Sequence, residues 1–279
     1  MSNTKKLVLV GPMAAGKTTF KQVFFENANP LKLLEKDLEP TRGIESSALG
    51  YFEQILGVWD LAGQEINSWL GKRSDVFKEA SVIVYMLDAS KKLKEAIPNF
   101  IKFLKVREKI AKHSKLFLLM NKCDLSPNIE IYNKIYHLER FITVKFPEFK
   151  HVCKRTNFYK TSVTEAYFIP TLLTVLEIIK SCINFTDLSI PISDYVNFKN
   201  KIKILTIYSP GIWFSIGDIS DKLRLKITKT KKLLSELHYY GFLNQKKNSF
   251  YSINERGAFF ARSCKKQDRL IKERQNRES

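Results

Sequence analysis

The sequence predicts an α/β fold, a mostly parallel sheet flanked by helices, followed by a smaller helical domain of different rhythm. Three observations carry this. The run Leu7, Val8, Leu9, Val10 is apolar on both parities, which suits a strand covered on both faces of a parallel sheet. From residue 5 to about 183, short apolar runs alternate with longer amphipathic segments, the rhythm of βαβ units. After the stretch around Pro191 that rhythm gives way to short helical spacings and a hairpin signal.

Taken in order, strands are expected at 5–10, 46–53, 54–60, 81–88, 115–120 and 156–160, and helices at 17–28, 91–112, 130–146 and 167–183. Residues 184–198 read as a linker. Beyond it, 202–209 has helical spacing and stops at Pro210 and Gly211. A second helix follows at 215–223 with Ser215 as its N-cap, and a third, capped by Thr228, ends near Gly241. The run FLNQKKNSFYSIN then places two strand-like segments around a polar turn. Helix, helix, helix and hairpin is the layout of a winged helix-turn-helix. The expected organisation is an α/β domain at 1–183, a linker at 184–198, a winged-helix-like domain at 199–262 and a basic tail at 263–279.

Composition narrows the class. The 279 residues suffice for a moderate domain and a small one. Cysteines 123, 153, 182 and 264 lie far apart without a Cys-x-x-Cys pair, which argues against a zinc site or a disulfide framework and for a cytoplasmic setting. The four histidines show no ligand spacing. No apolar stretch is long enough to span a bilayer, and neither the opening MSNTKK nor the ending NRES reads as an anchoring signal, so at most peripheral membrane contact is expected. Lys and Arg number 47 against 28 Asp and Glu, giving +19. Of these, 18 and 7 fall in residues 201–279, which therefore carry +11 of the excess. An acidic partner is a candidate for the C-terminal part.

The segment GPMAAGKTT directly follows the first strand. Gly11 and Gly16 let the backbone wrap around an anion, so that Ala14, Ala15, Gly16, Lys17, Thr18 and Thr19 can contact phosphate from the loop and from the start of the next helix. Lys17 reaches the outer phosphates and the Thr18 hydroxyl can ligate Mg²⁺. The spacing is the full P-loop pattern. Further on, in WDLAGQE, Asp60 ends a strand where a carboxylate can hold a metal-bound water, Gly63 can present its N–H to a γ-phosphate, and Gln64 can orient an attacking water. The run NKCD follows another strand and supplies Asn121, Lys122 and Asp124. The Asp124 carboxylate can accept two hydrogen bonds from guanine that adenine does not offer. KTSV places Ser162 and Val163 where main-chain N–H groups can meet the guanine O6.

With GPMAAGKTT, PTRGIE, VWDLAGQE and NKCDL in this order, residues 5 to about 183 resemble the Ras superfamily of small GTPases, most closely the Arf and Arf-like branch, with Rag-type and archaeal relatives near. The resemblance implies a Ras-like G domain that cycles between GDP and GTP forms with Mg²⁺ and hydrolyses GTP slowly without an activating protein. Thr41 would add a metal ligand and sense the γ-phosphate. Lys17, Gly63 and Gln64 would form the catalytic set, and effector, exchange and activating proteins are the expected partners. Met13 stands where Ras proteins carry glycine, a departure that would crowd an incoming arginine.

The appended domain offers Lys226, Lys229, Lys231 and Lys232 at the start of its third helix and Lys246 and Lys247 in the hairpin turn. These suit phosphate contacts, although no Arg, Asn or Gln in the first helical turn is placed to read bases. Protein, nucleic acid and anionic membrane remain open as partners. So do two alternative readings of the whole, a GTP-regulated nucleic-acid-binding protein and an interaction scaffold with a vestigial GTPase.

Overall fold

The computed structural model describes residues 4–35, 39–51, 54–183, 192–246 and 249–278. The chain divides into two compact units, Met1–Thr186 and Asp187–Ser279.

In the first unit the chain runs β1 (Thr4–Val10), α1 (Lys17–Phe24), α2 (Pro30–Leu34), β2 (Ile44–Tyr51), β3 (Gln54–Leu61), α3 (Ile66–Trp69), β4 (Val82–Asp88), α4 (Ile97–Ile110), β5 (Lys115–Asn121), α5 (Asn128–Lys145), β6 (Phe158–Lys160) and α6 (Phe168–Ile183). The six strands form one sheet in the order β2-β3-β1-β4-β5-β6. Only β2 runs antiparallel to its neighbour.

Both faces of the central strands are buried, as the apolar run on both parities requires. Leu7 and Leu9 pack with Phe20 of α1 and with Val175 and Ile178 of α6. Val8 and Val10 point the other way, into a core with Trp69, Phe100, Phe103, Ile131 and Ile135. All seven residues of β4 are buried. Because five strands are parallel, their carboxyl ends share one edge, and the register brings Asp60 beside Leu9 and Asp88 beside Asn121 there. Loops leaving that edge converge, the usual place for a ligand in an open α/β sheet.

Most elements lie within a few residues of expectation, and the departures have local causes. The helix expected at 91–112 begins at Ile97, after a 3₁₀ turn at Leu93–Glu95. Pro98 has no N–H to bond back into a preceding turn, so it is tolerated only at a helix start. The helix expected at 17–28 ends at Phe24, since Asn27 adopts a positive φ of 65°. Asn29 then caps a new short helix by accepting the Leu31 N–H at 3.0 Å.

The second unit runs α7 (Ile192–Ile207), β7 (Trp213–Ser215), α8 (Ile216–Leu223), α9 (Ile227–Tyr239), β8 (Leu243–Lys246), β9 (Phe250–Ile253) and α10 (Glu255–Glu278). Its strands form an antiparallel sheet in the order β7-β9-β8. Ile204, Leu205, Phe214, Ile219, Leu233, Leu234, Leu237, Tyr251 and Ile253 make its core. Ser215 caps α8 as expected, within a reciprocal box: its hydroxyl accepts the Asp218 N–H at 3.2 Å and the Asp218 carboxylate accepts the Ser215 N–H at 2.7 Å.

Three expectations for this part are corrected, and one strand was missed. Residues 192–198, assigned to the linker, are the first turns of α7, of which 202–209 was only the end; residues 184–191 lie outside the described residues. Thr228 is not a cap: α9 starts at Ile227 behind Lys226, which makes no side-chain cap. The strand β7 was not anticipated, being three residues long. Residues 263–278 are no separate tail but continue α10, whose charged second half lacks an apolar period from which a helix can be read. Lys247 lies outside the described residues.

Candidate functional site

The site grows from the junction of β1 and α1. Gly11 leaves the strand with φ 152°, and a Cβ there would lie 2.2 Å from the Met86 carbonyl oxygen of β4. The loop can press onto its neighbour only because that atom is missing. Ala14 and Gly16 also take positive φ, 62° and 84°. Gly16 is the N-cap of α1 and has no capping side chain, and no acidic residue lies in the helix's first turn. Its leading N–H groups are left for an anion.

Around this opening lies a cavity of about 460 Å³ lined by Met13, Ala14, Gly16, Lys17, Thr18, Thr19, Thr41, Gly63, Gln64 and Lys122, with Glu39, Pro40 and Leu61. Sequence-separated groups meet in it. The Thr18 hydroxyl donates to Asp60 Oδ2 at 2.6 Å and lies 2.8 Å from the Thr41 hydroxyl. Lys17 Nζ donates to the carbonyls of Gly11 and Pro12, both at 2.9 Å. Two of three ammonium hydrogens are thus fixed by the loop. Gln64 Nε2 donates to the Thr41 carbonyl at 3.3 Å, and Gly63 stands so close to Lys17 and Met13 that a Cβ there would overlap both.

Burial sets the electrostatics. It pushes the Lys17 ammonium down to about 8, opposed by the Asp60 carboxylate. Asp60 is fully buried, and burial raises its carboxyl against the lowering effect of the Thr18 hydroxyl and Lys17. Its second oxygen, Oδ1, is buried with no hydrogen-bond partner.

The base-reading candidates form a second group beside the first. Asn121 is buried, donates from Nδ2 to the Ala15 carbonyl at 2.9 Å and accepts the Thr161 hydroxyl at 3.0 Å on Oδ1. One amide hydrogen is left for a ligand, and the side chain mainly bolts the NKCD loop to the P-loop. Lys122 takes a left-handed conformation, reaches the cavity wall and pairs with Asp88 at 3.0 Å. Asp124 is exposed, and the Cys123 N–H donates to the Thr161 carbonyl, so the 121–125 and 161–164 loops are neighbours. One expectation is corrected: the Ser162 N–H donates to the buried Thr171 hydroxyl of α6 at 3.0 Å and does not aim at a ligand. The Thr164 N–H is taken by Ser162 Oγ, which leaves the Val163 N–H as this loop's donor.

Sequence reasoning missed several participants. Asp88 ends β4 without a motif, and Thr161 was quoted within KTSV without a role. Glu65 was quoted within WDLAGQE without a role. It accepts the Gly43 N–H at 2.7 Å and pairs with Arg73 at 2.9 Å, and the Arg73 guanidinium stacks on Trp69. The Trp69 indole N–H closes the chain on the Ala62 carbonyl at 2.9 Å.

The family profile of the Gtr1/RagA G protein conserved region matches residues 6–209. The chain belongs to the Gtr1/RagA family. Of the branches compared by motif, the match therefore names the Rag type. It also runs past the first unit, through α7. Among similar proteins are the Ras-related GTP-binding protein A of Dictyostelium discoideum, 26% identical over 168 residues, and the GTP-binding protein GTR1 of Saccharomyces cerevisiae, 29% identical over 129 residues. These alignments cover 58% and 44% of this chain and 55% and 41% of the relatives, so the chain spans about half the length of the curated relatives it matches. Membership in the Gtr1/RagA family makes this a small G protein of the Ras superfamily and implies guanine-nucleotide binding. No helix among the described residues is long and apolar enough to cross a membrane.

Proposed function

We propose that this Gtr1/RagA-family chain is a GDP/GTP switch that hydrolyses GTP with Mg²⁺ and meets a partner through a winged helix-turn-helix in its second unit. The observation that carries the reading is the convergence of Lys17, Thr18, Thr41 and Gln64, drawn from three sequence motifs, on one cavity, with Asp60 hydrogen-bonded to the Thr18 hydroxyl. The order α7-β7-α8-α9-β8-β9 supports the winged-helix reading.

The residues fit a magnesium ion. Two hydroxyls and a carboxylate meet within hydrogen-bond distance, and the unpartnered Asp60 Oδ1 is an acceptor in need of a donor such as a metal-bound water. Thr18 and Thr41 would hold the ion directly and Asp60 through water; the ion supplies neutralisation of charge on the outer phosphates. Lys17, fixed by two loop carbonyls, keeps one donor for the β- and γ-phosphates. The Gly63 N–H would donate to the γ-phosphate. Gln64, tied to the Thr41 carbonyl, is placed to orient the attacking water. Asp124 accepts from the guanine N1–H and exocyclic amine while Val163 donates to O6. Nothing here is covalent with the protein: positioning and electrostatics do the catalysis.

A Gln64→Leu chain keeps GTP affinity and loses turnover by about a hundredfold or more. Phosphate release in single turnover, beside fluorescent-nucleotide binding, measures both. A wild type as slow as the variant, even with cell extract added, would sink the switch and favour a vestigial GTPase.

Lys17 gives a pH signature. Phosphate oxygens favour the ammonium form, so the bound chain holds a proton that the free chain releases above about pH 8. GDP affinity is level below that pH and falls above it, by up to about tenfold per pH unit until the complex itself titrates. Nucleotide titrations from about pH 7 to pH 9 check this, and a flat profile contradicts it.

A further inference from the structure

The described part of the second unit presents a cationic surface whose charges are not used internally. Lys226, Lys229, Lys231 and Lys232 are exposed, and no ion pair, side-chain hydrogen bond or ring contact engages any of their ammonium groups among the described residues. Some other cations of the unit are occupied. Lys201 pairs with Glu236 at 2.6 Å, Lys222 lies over the Tyr208 ring and Arg256 over Phe242. That pair also consumes the one carboxylate of α9, so nothing acidic on this helix offsets the four lysines.

The helical period sorts the face. Thr230, Leu233, Leu234 and Leu237 of α9 are buried. At about 3.6 residues per turn, Thr228, Lys232, Ser235 and Tyr239 project directly away from them, flanked by Lys229 and Lys231. Apart from Glu236, whose carboxylate is paired with Lys201, every member of that strip ends in an ammonium or a hydroxyl, the side-chain types that contact phosphate oxygens. Tyr239 is 85% exposed. The 13-residue helix is about 20 Å long and of a width that the major groove admits.

We propose that this outward face of α9 docks on the sugar-phosphate backbone of a nucleic-acid duplex. The charge complementarity is direct, with hydroxyl donors interleaved among unpaired lysines. A lipid surface fits less well, because the apolar stripe of α9 is spent in the core and Ile227 is the one exposed aliphatic on the helix. A protein partner would require an apolar or aromatic anchor at the centre of the patch, where Lys232 and Ser235 stand; the one exposed aromatic of the face, Tyr239, is the last residue of the helix. The helix holds no Arg, Asn or Gln, so binding depends little on sequence. The proposal goes beyond the nucleotide switch and does not depend on it.

The test uses the 279-residue chain loaded with GDP and a labelled mixed-sequence DNA duplex, read by anisotropy across a salt series. A Lys229→Gln, Lys231→Gln, Lys232→Gln variant removes three charges that touch nothing. A Lys102→Gln, Lys105→Gln, Lys109→Gln variant removes three exposed lysines of α4 as a charge-matched control. The wild type is expected to bind at near-physiological salt and to bind an unrelated duplex equally. The α9 variant is expected to lose at least about tenfold in affinity, with a salt slope shallower by about three. The control should stay within about twofold on the same scale. Equal losses in both variants, no loss in either, or no wild-type binding at that salt would overturn the proposal. So would stronger binding to vesicles containing phosphatidylserine that the α9 variant abolishes. Labelled-GDP binding on the same samples separates the readings: duplex binding lost with GDP binding intact leaves the switch standing, and the reverse leaves the α9 surface standing.

Discussion

A Gly63→Ala chain is expected to bind GDP normally and to hydrolyse GTP about a hundredfold more slowly, since a displacement of roughly 1 Å at a reacting centre has that effect. The Cβ would lie 2.6 Å from both the N and Cα of Met13 and 2.7 Å from Lys17 Nζ. The lysine end can swing aside; the Met13 backbone, held in the P-loop, cannot. The segment after β3 must therefore withdraw, taking with it the adjacent Gln64 and its hydrogen bond to the Thr41 carbonyl. Both the γ-phosphate contact and the water-orienting amide are lost, while the base-side loop is untouched. Single-turnover hydrolysis with labelled-GDP binding distinguishes this from unfolding. Replacing Met13 by glycine does not rescue the variant, because the atoms in the way are main chain. An alanine variant that turns over at the wild-type rate would show that Gly63 does not approach the phosphate.

The second large effect lies on the base side. Asp124→Asn is expected to weaken GTP binding by a factor of about a hundred to a thousand, as two charge-assisted hydrogen bonds become one neutral bond and a clash of donors. Asp124 is exposed, so the change costs the fold little. The amide also reverses a preference. Xanthine carries a carbonyl where guanine carries its exocyclic amine, so the asparagine N–H can donate to it, and xanthosine triphosphate should bind the variant better than GTP does. Competition titrations with the two nucleotides and ATP measure the switch. If Asp124→Asn kept the wild-type order, base selection would rest on the Val163 N–H and the loop shape instead.

Much of this was legible in the residues. Leu7 to Val10, apolar on both parities, announced a strand buried on both faces, and both faces are packed. The P-loop spacing could be read because its chemistry is local: glycines, a lysine and a hydroxyl at fixed offsets on one turn. Ser215 at the start of α8 was readable for the same reason, since a cap needs only its own next residues. The contacts that hold the site were not. Asn121 looks like a base reader in the sequence, yet most of its amide is spent tying two loops together across 106 residues. Ser162 looked like a donor until Thr171, nine residues on, was seen to occupy its N–H. Glu65 and Arg73 have no spacing that marks them, and only the folded chain puts them between Gly43 and Trp69.

The second unit divides the same way. Its lysines and their excess are plain in the composition, but that the α9 lysines are unpaired while Lys201 is not depends on which carboxylate each can reach in space. What the sequence by itself determined is the set of short-range choices: the alternation of strands and helices, the phosphate loop, the Ser215 cap, and the charge of the C-terminal part. What only the tertiary structure decided is which of those groups face one another. Local conformation depends on neighbours along the chain, whereas the partners of a buried amide, carboxylate or ammonium come from wherever the sheet register and helix packing bring the chain together.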